Sequence, residues 1–169
     1  MTHRDIEMEV IENFVKNNKP KIVLEIGPGL ESFEKIFNAE EYYSIDNQSQ
    51  YHSNALKMDA HKLEFSEDFF DCIFMSHVAE HFLNPVKAFK EILRTLKTGG
   101  KLLSITPNCC EHQIIKGDPD HIFVLNNIQW IRLLNNVGFK NIKSYVQMTS
   151  NGGMISDIQN YNIITIAQK

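Results

Sequence analysis

The chain has 169 residues, of which 43% are apolar and 22% charged, and its formal net charge is -4. That length and balance fit one globular α/β domain with a sizeable core and leave too little chain for two. They exclude a basic nucleic-acid footprint over the whole domain, and no apolar run reaches the length that spans a bilayer.

Three cysteines, Cys72, Cys109 and Cys110, make no disulfide framework, since adjacent Cys109 and Cys110 do not staple distant segments. A reducing, cytoplasmic compartment is expected. The polar first residues lack the apolar centre of a secretory signal.

The first predicted element is a helix over residues 5–16, with Ile6, Val10, Ile11 and Phe14 on one stripe and Pro20 beyond its end. Residues 22–26 form a short apolar run between Pro20 and Gly27, the pattern of a buried strand. A short helix over 30–37 and a strand over 42–45, ending at Asp46, follow. Residues 55–58 read as a third, weak strand and 70–75 as a fourth, strongly apolar one. Asn84 caps a helix with Pro85 at its first position, Val86, Phe89, Leu93 and Leu96 on its buried stripe and Gly99-Gly100 as its stop. Residues 102–105 are a fifth strand, closed by Pro107. Asn126 and Gln129 are spaced as a capping box for a helix that carries Ile128, Ile131, Leu134 and Val137 and ends at Gly138. Trp130 is expected in the core of that helix's contact. Residues 142–148 and 161–167 read as strands joined through Asn151-Gly152-Gly153, a connection suited to an antiparallel hairpin. The alternation predicts a Rossmann-like three-layer α/β sandwich, with a mostly parallel seven-stranded sheet and an antiparallel C-terminal hairpin. One domain is expected over 1–169: an N-terminal helix (1–20), a cofactor-binding part (21–110), and a substrate-side loop, helix and hairpin (111–169).

The strongest chemical signal is Val23-Leu24-Glu25-Ile26-Gly27-Pro28-Gly29, at the carboxyl end of the first strand. Ligands of open α/β sheets bind at that position. Gly27 and Gly29 let a ligand approach the backbone, a carboxylate at Glu25 offsets the ammonium of a bound amino acid, and the helix start favours its carboxylate. Asp46, at the end of the second strand, stands where a ribose diol finds its acceptor. Two positions beyond Gly29 the chain holds Glu31, in a stretch where a dinucleotide site wants a third small residue. Its charge repels a pyrophosphate, which favours S-adenosylmethionine (SAM) over a nicotinamide dinucleotide.

These segments resemble the class I SAM-dependent methyltransferases, in particular their small-molecule group, over about residues 21–145. Glu25-Ile26-Gly27-Pro28-Gly29 is similar to the family's first motif and Tyr43-Ser44-Ile45-Asp46 to its second. Met58-Asp59-Ala60 resembles the element whose acid meets the adenine amino group. The run from Phe69 to Ser76-His77 resembles the fourth strand and its cofactor-lining end, continued by Glu80-His81-Phe82-Leu83-Asn84-Pro85. Leu93–Leu102, Thr106-Pro107-Asn108, Asp120-His121 and Leu133–Phe139 follow in family order. The resemblance implies SAM as cofactor, bound by Glu25, Gly27, Gly29, Asp46, Asp59, Ala60, Ser76 and His77, and methyl transfer to a small-molecule acceptor. Nucleic acid is disfavoured as a partner, no membrane span is expected, and the oligomeric state stays open.

His77-Val78-Ala79-Glu80-His81 also satisfies the H-x-x-E-H string of zinc peptidases. That chemistry needs both histidines on one helical face, whereas His77 falls at a strand end, so no metal is expected. His121 and His112 lie in the polar loop after the fifth strand and are the candidate bases for an acceptor that must lose a proton. The competing functions are a non-catalytic SAM-binding or scaffold domain and, disfavoured by Glu31, a nicotinamide-dependent oxidoreductase.

Overall fold

The computed structural model describes residues 3–30, 32–48, 54–108, 119–147 and 162–169. Helix α1 (His3–Asn18) precedes strand β1 (Ile22–Ile26), the single turn α2 (Glu34–Phe37), and strands β2 (Glu41–Asp46), β3 (Leu56–Lys57) and β4 (Phe70–Ser76). A 3-10 turn (Ala79–His81) leads into α3 (Pro85–Thr95) and β5 (Leu96–Pro107), followed by α4 (Asn127–Val137), β6 (Lys140–Gln147) and β7 (Asn162–Gln168).

The strands form one sheet in the order β3-β2-β1-β4-β5-β7-β6. β1 runs parallel to both β2 and β4, and β4 parallel to β5. β7 pairs antiparallel with β5 and β6, so the expected Rossmann-like sandwich with its terminal hairpin is present. The order reverses at β1 and β4, which opens a crevice at their carboxyl ends.

Both faces of the central strands are buried, as parallel sheets require. On β4, Cys72 and Phe74 enter the cluster shared with Ile11 and Phe14 of α1, while Ile73 and Met75 enter the cluster of Phe89, Ile92, Trp130 and Leu134. Trp130 packs edge-on against Phe89, with ring centroids 5.7 Å apart.

Several boundaries differ from the sequence-based expectation. The helix expected from residue 30 begins at Glu34, because Ser32 and the Phe33 amide are held by the Glu25 carboxylate instead. The helix expected to run to Gly99-Gly100 ends at Thr95, and Leu96 turns extended to pair with Phe70. The two glycines serve an irregularity within β5. Gly99 has φ +83, and a Cβ on Gly100 would lie 3.0 Å from the Phe70 carbonyl oxygen.

The buried residues of α3 are Pro85, Ala88, Phe89, Ile92 and Thr95. Of the expected stripe, Phe89 is buried, Leu93 packs partly buried against the core, Leu96 is buried as the first residue of β5, and Val86 is exposed. Ala88 is fully buried in the core cluster. Ile128 of α4 is likewise exposed, although Asn126 and Gln129 form the expected capping box. The segment between β6 and β7, with Asn151, Gly152 and Gly153, lies outside the described residues, as do Cys109 and Cys110.

Asp71 ties the amino end of β4 to its neighbours. It accepts from the Lys21 and Ile22 amides at 3.1 and 2.8 Å and from Lys97 Nζ at 2.7 Å. Partial burial works to raise its pKa, but these donors prevail and hold it below the usual carboxylate range. The folded pKa is thus below the unfolded one, so the stabilisation is present above about pH 4 and is lost as pH falls through the folded value. Thermal melts of the native chain and of Asp71→Asn are expected to differ most near neutrality and to converge in acid.

Candidate active site

The glycine turn leaves β1 at the centre of the sheet, where the Gly27 amide donates to the Ile45 carbonyl oxygen at 2.8 Å. This bond holds the turn against the end of β2, whose next residue is Asp46. Ile26 and Ile45 are partners in the register, so the glycine turn and Asp46 emerge side by side.

The two glycines are required for different reasons. Gly27 has φ +68, and a Cβ there would meet Val78 Cγ2 at 2.5 Å. Gly29 has φ +60, but a Cβ there would meet nothing within 4 Å. Gly27 therefore serves packing within the protein, and Gly29 borders open space. We expect Gly27→Ala to lower stability by about 2–4 kcal/mol, combining left-handed strain with overpacking against a stiff β-branched side chain. Adding Val78→Ala should recover part of the loss, whereas Gly29→Ala should cost only about 1 kcal/mol from its φ. Urea denaturation of the four chains checks this.

Glu25 lies beneath the turn and is 2% exposed. Its Oε2 accepts from Ser32 Oγ at 2.5 Å and from Tyr42 Oη at 2.9 Å, and its Oε1 from the Phe33 amide at 3.3 Å. Burial, reinforced by the Glu25 charge, drives the Tyr42 phenol far above its ordinary pKa, so it remains a donor. Glu25 thus organises the segment after Gly29 through bonds to the protein. Ser32 and Tyr42 were not singled out in the sequence, although a strand-end acid buried this deeply must have such donors.

Asp46 is half-buried, and its Oδ1 accepts from the Gln48 amide at 2.7 Å. Asp59 Oδ1 takes both the His61 amide, at 2.8 Å, and His61 Nδ1, at 2.6 Å. Partial burial works to raise the Asp59 pKa, but these bonds lower it, and it stays ionised. The second oxygen of each aspartate has no hydrogen-bond partner among the described residues. Ala60 is buried in the core behind Asp59. Ser76 Oγ, at the end of β4, is buried without a partner among the described residues.

His77 follows with φ +53, and its amide donates to the Ile105 carbonyl oxygen. Its Nε2 lies 2.9 Å from Glu7 Oε1 of α1, and its Nδ1 3.4 Å from Glu80 Oε1. Burial pulls its pKa down, but the Glu7 bond and the two carboxylates outweigh that and bring it up to about 9. His77 is therefore an imidazolium at neutral pH. Glu7 also accepts from Asn162 Nδ2 at 3.1 Å, which docks α1 over the strand ends. Glu7 lies on the stripe of Ile11 and Phe14 at helical spacing, and that placement was the available signal for it.

His81 and His121 come together, with ring centroids 5.0 Å apart. His112 and Glu31 lie outside the described residues. Leu30, Leu83 and Ile122 are exposed on the connections that leave β1, β4 and β5, so apolar surface borders the same end of the sheet. A separate cavity of about 540 Å³, lined by Asn18, Lys21, Asp71, Lys97 and Lys101, lies at the opposite end, away from these residues. No helix among the described residues is long and apolar enough to cross a membrane.

A family described as a methyltransferase domain matches residues 2–144. No curated protein matches the chain in sequence. Among solved structures, a Bacillus halodurans protein superposes with TM-score 0.77 at 15% identity, over 96% of this chain and 98% of its own. A SAM-dependent methyltransferase from Archaeoglobus fulgidus gives TM-score 0.73 at 18% identity, over 96% and 94%. Phosphoethanolamine N-methyltransferase 2 of Haemonchus contortus, solved with SAM, gives 0.73 at 18% over 95% of this chain and 52% of its own.

Proposed function

Because the chain belongs to the methyltransferase domain family, we propose that it transfers the methyl group of SAM to a small-molecule acceptor. The observation that carries this reading is the open backbone of Gly29 on the turn after β1, together with Asp46 at the end of the neighbouring strand β2, whose carboxylate keeps one oxygen without a partner among the described residues.

The residues present fit an adenosyl amino acid. Asp46 supplies an acceptor for the ribose hydroxyls and Asp59 one for the adenine amino group. The cradle at Gly29, with Ser76 Oγ as an uncommitted donor or acceptor, suits the methionine part. Glu25 acts on that part through the turn it holds, and His77 through the strand end it fixes. When bound, SAM supplies a methyl group already activated by the sulfonium. The protein's share is to orient the acceptor and exclude water, and apolar Leu30, Leu83 and Ile122 suit that share. Where the acceptor carries a proton on its nucleophilic atom, His121 or His112 takes it.

A thermal-shift comparison tests the reading. SAM and its demethylated product are each expected to stabilise the chain, by about 2.7 kcal/mol at a hundredfold excess over Kd, while NAD leaves it unchanged. Equal stabilisation by NAD, or none by either adenosyl compound, would refute it. Labelled methyl transfer across acceptor classes then separates an enzyme from a binding domain.

A further inference from the structure

Glu80, His81 and His121 form a cluster that the cofactor site does not use. Each offers one ligand atom, and the three atoms lie within 4.8 Å of one another. Glu80 is 0% exposed, and neither carboxylate oxygen has a hydrogen-bond partner among the described residues. A carboxylate buried in this way calls for a cation, and His77 Nδ1, at 3.4 Å, answers it only in part.

The histidines are arranged for ligation. His81 Nδ1 lies 2.9 Å from the Asp120 carbonyl oxygen, which can only accept. Nδ1 therefore carries the proton, and the lone pair rests on Nε2. Such a bond through the second ring nitrogen orients metal-bound histidines. The Phe123 amide donates to the Glu80 carbonyl oxygen at 2.8 Å. These two bonds stitch the connection after β5 to the 3-10 turn and bring His121 beside His81.

We propose that Glu80, His81 and His121 bind one divalent first-row transition cation of the zinc type. Two imidazoles and one carboxylate are a borderline ligand set, unlike the all-oxygen sets of calcium and magnesium. Three protein ligands leave coordination open, the arrangement of catalytic rather than structural sites. Glu80 forms the buried floor and His81 is exposed, so the cation is reached from solvent on the histidine side. The H-x-x-E-H string contributes only Glu80 and His81. His77 is already bound to Glu7, and the third ligand comes from a different connection. As a ligand, His121 is no longer a free base.

The test is a titration of the full, metal-stripped chain with Co2+ alone, read by visible absorption and calorimetry, with Zn2+ as competitor. One equivalent of Co2+ is expected to saturate a ligand-field band that Zn2+ abolishes. His81→Ala and His121→Ala are each expected to weaken Co2+ binding at least tenfold, with circular dichroism confirming their fold. Glu80→Gln, which keeps the shape and removes the charge, supplies the same comparison should either variant fail to fold. Absence of a saturable equivalent, or undiminished affinity in the folded variants, would overturn the proposal. The titration contains neither SAM nor acceptor, so its failure is distinct from failure of the methyl-transfer reading.

Discussion

Replacing Asp46 with Asn is expected to weaken SAM binding about a hundredfold, near 3 kcal/mol, and to leave the melting temperature almost unchanged. The substitution separates two duties of one carboxylate. Oδ1 accepts from the Gln48 amide, and an Asn carbonyl can keep that bond. The second oxygen, unpartnered among the described residues, becomes an amide that donates and no longer accepts from a ribose hydroxyl. Asp46→Ala removes both bonds and should add a small loss of order in the turn after β2. Calorimetric titration of the three chains with SAM, beside their thermal melts, measures both effects. Affinity for SAM that is the same in all three would remove Asp46 from the site.

The second large effect concerns stability. Glu25→Ala is expected to destabilise the fold by about 3–5 kcal/mol, because it strands one buried and two partly buried donors at once. Ser32 Oγ, Tyr42 Oη and the Phe33 amide all direct their hydrogens at this carboxylate. Without it, the segment between Gly29 and α2 loses its anchor, so cofactor affinity should fall along with stability. Glu25→Gln keeps one accepting oxygen and should lose less. Denaturant titration followed at equilibrium orders the three chains. Should Glu25→Ala unfold at the native midpoint, the carboxylate has no role in holding the turn.

The parts of this protein legible in its sequence are those where one residue type has one physical use. A strand closed by Gly27-Pro28-Gly29, an Asn84-Pro85 helix start and the Asn126–Gln129 box each specify local backbone, and each stands where expected. The helix stripes were less legible. Val86 and Ile128 are apolar at plausible positions and are exposed, whereas Ala88 and Trp130 lie in the core, Trp130 against Phe89.

The site divides in the same way. Gly29, Asp46 and Asp59 stand on the ends of predictable strands. The donors around Glu25 come from β2 and from the approach to α2, and the partner of His77 comes from α1. Pairings between residues this far apart in the chain depend on sheet order, which periodicity does not encode. The Glu80–His81–His121 cluster shows the same limit, since only the folded connections bring His121 to the string that precedes α3.

The measurement that bears most directly on the central claim is a crystal structure of the chain with S-adenosylhomocysteine. The account predicts the homocysteine part against the Gly27–Gly29 backbone and both ribose hydroxyls within hydrogen-bond distance of Asp46. A ligand seated elsewhere, such as the cavity between Asn18 and Lys97, or an Asp46 turned away from the sugar, would contradict it.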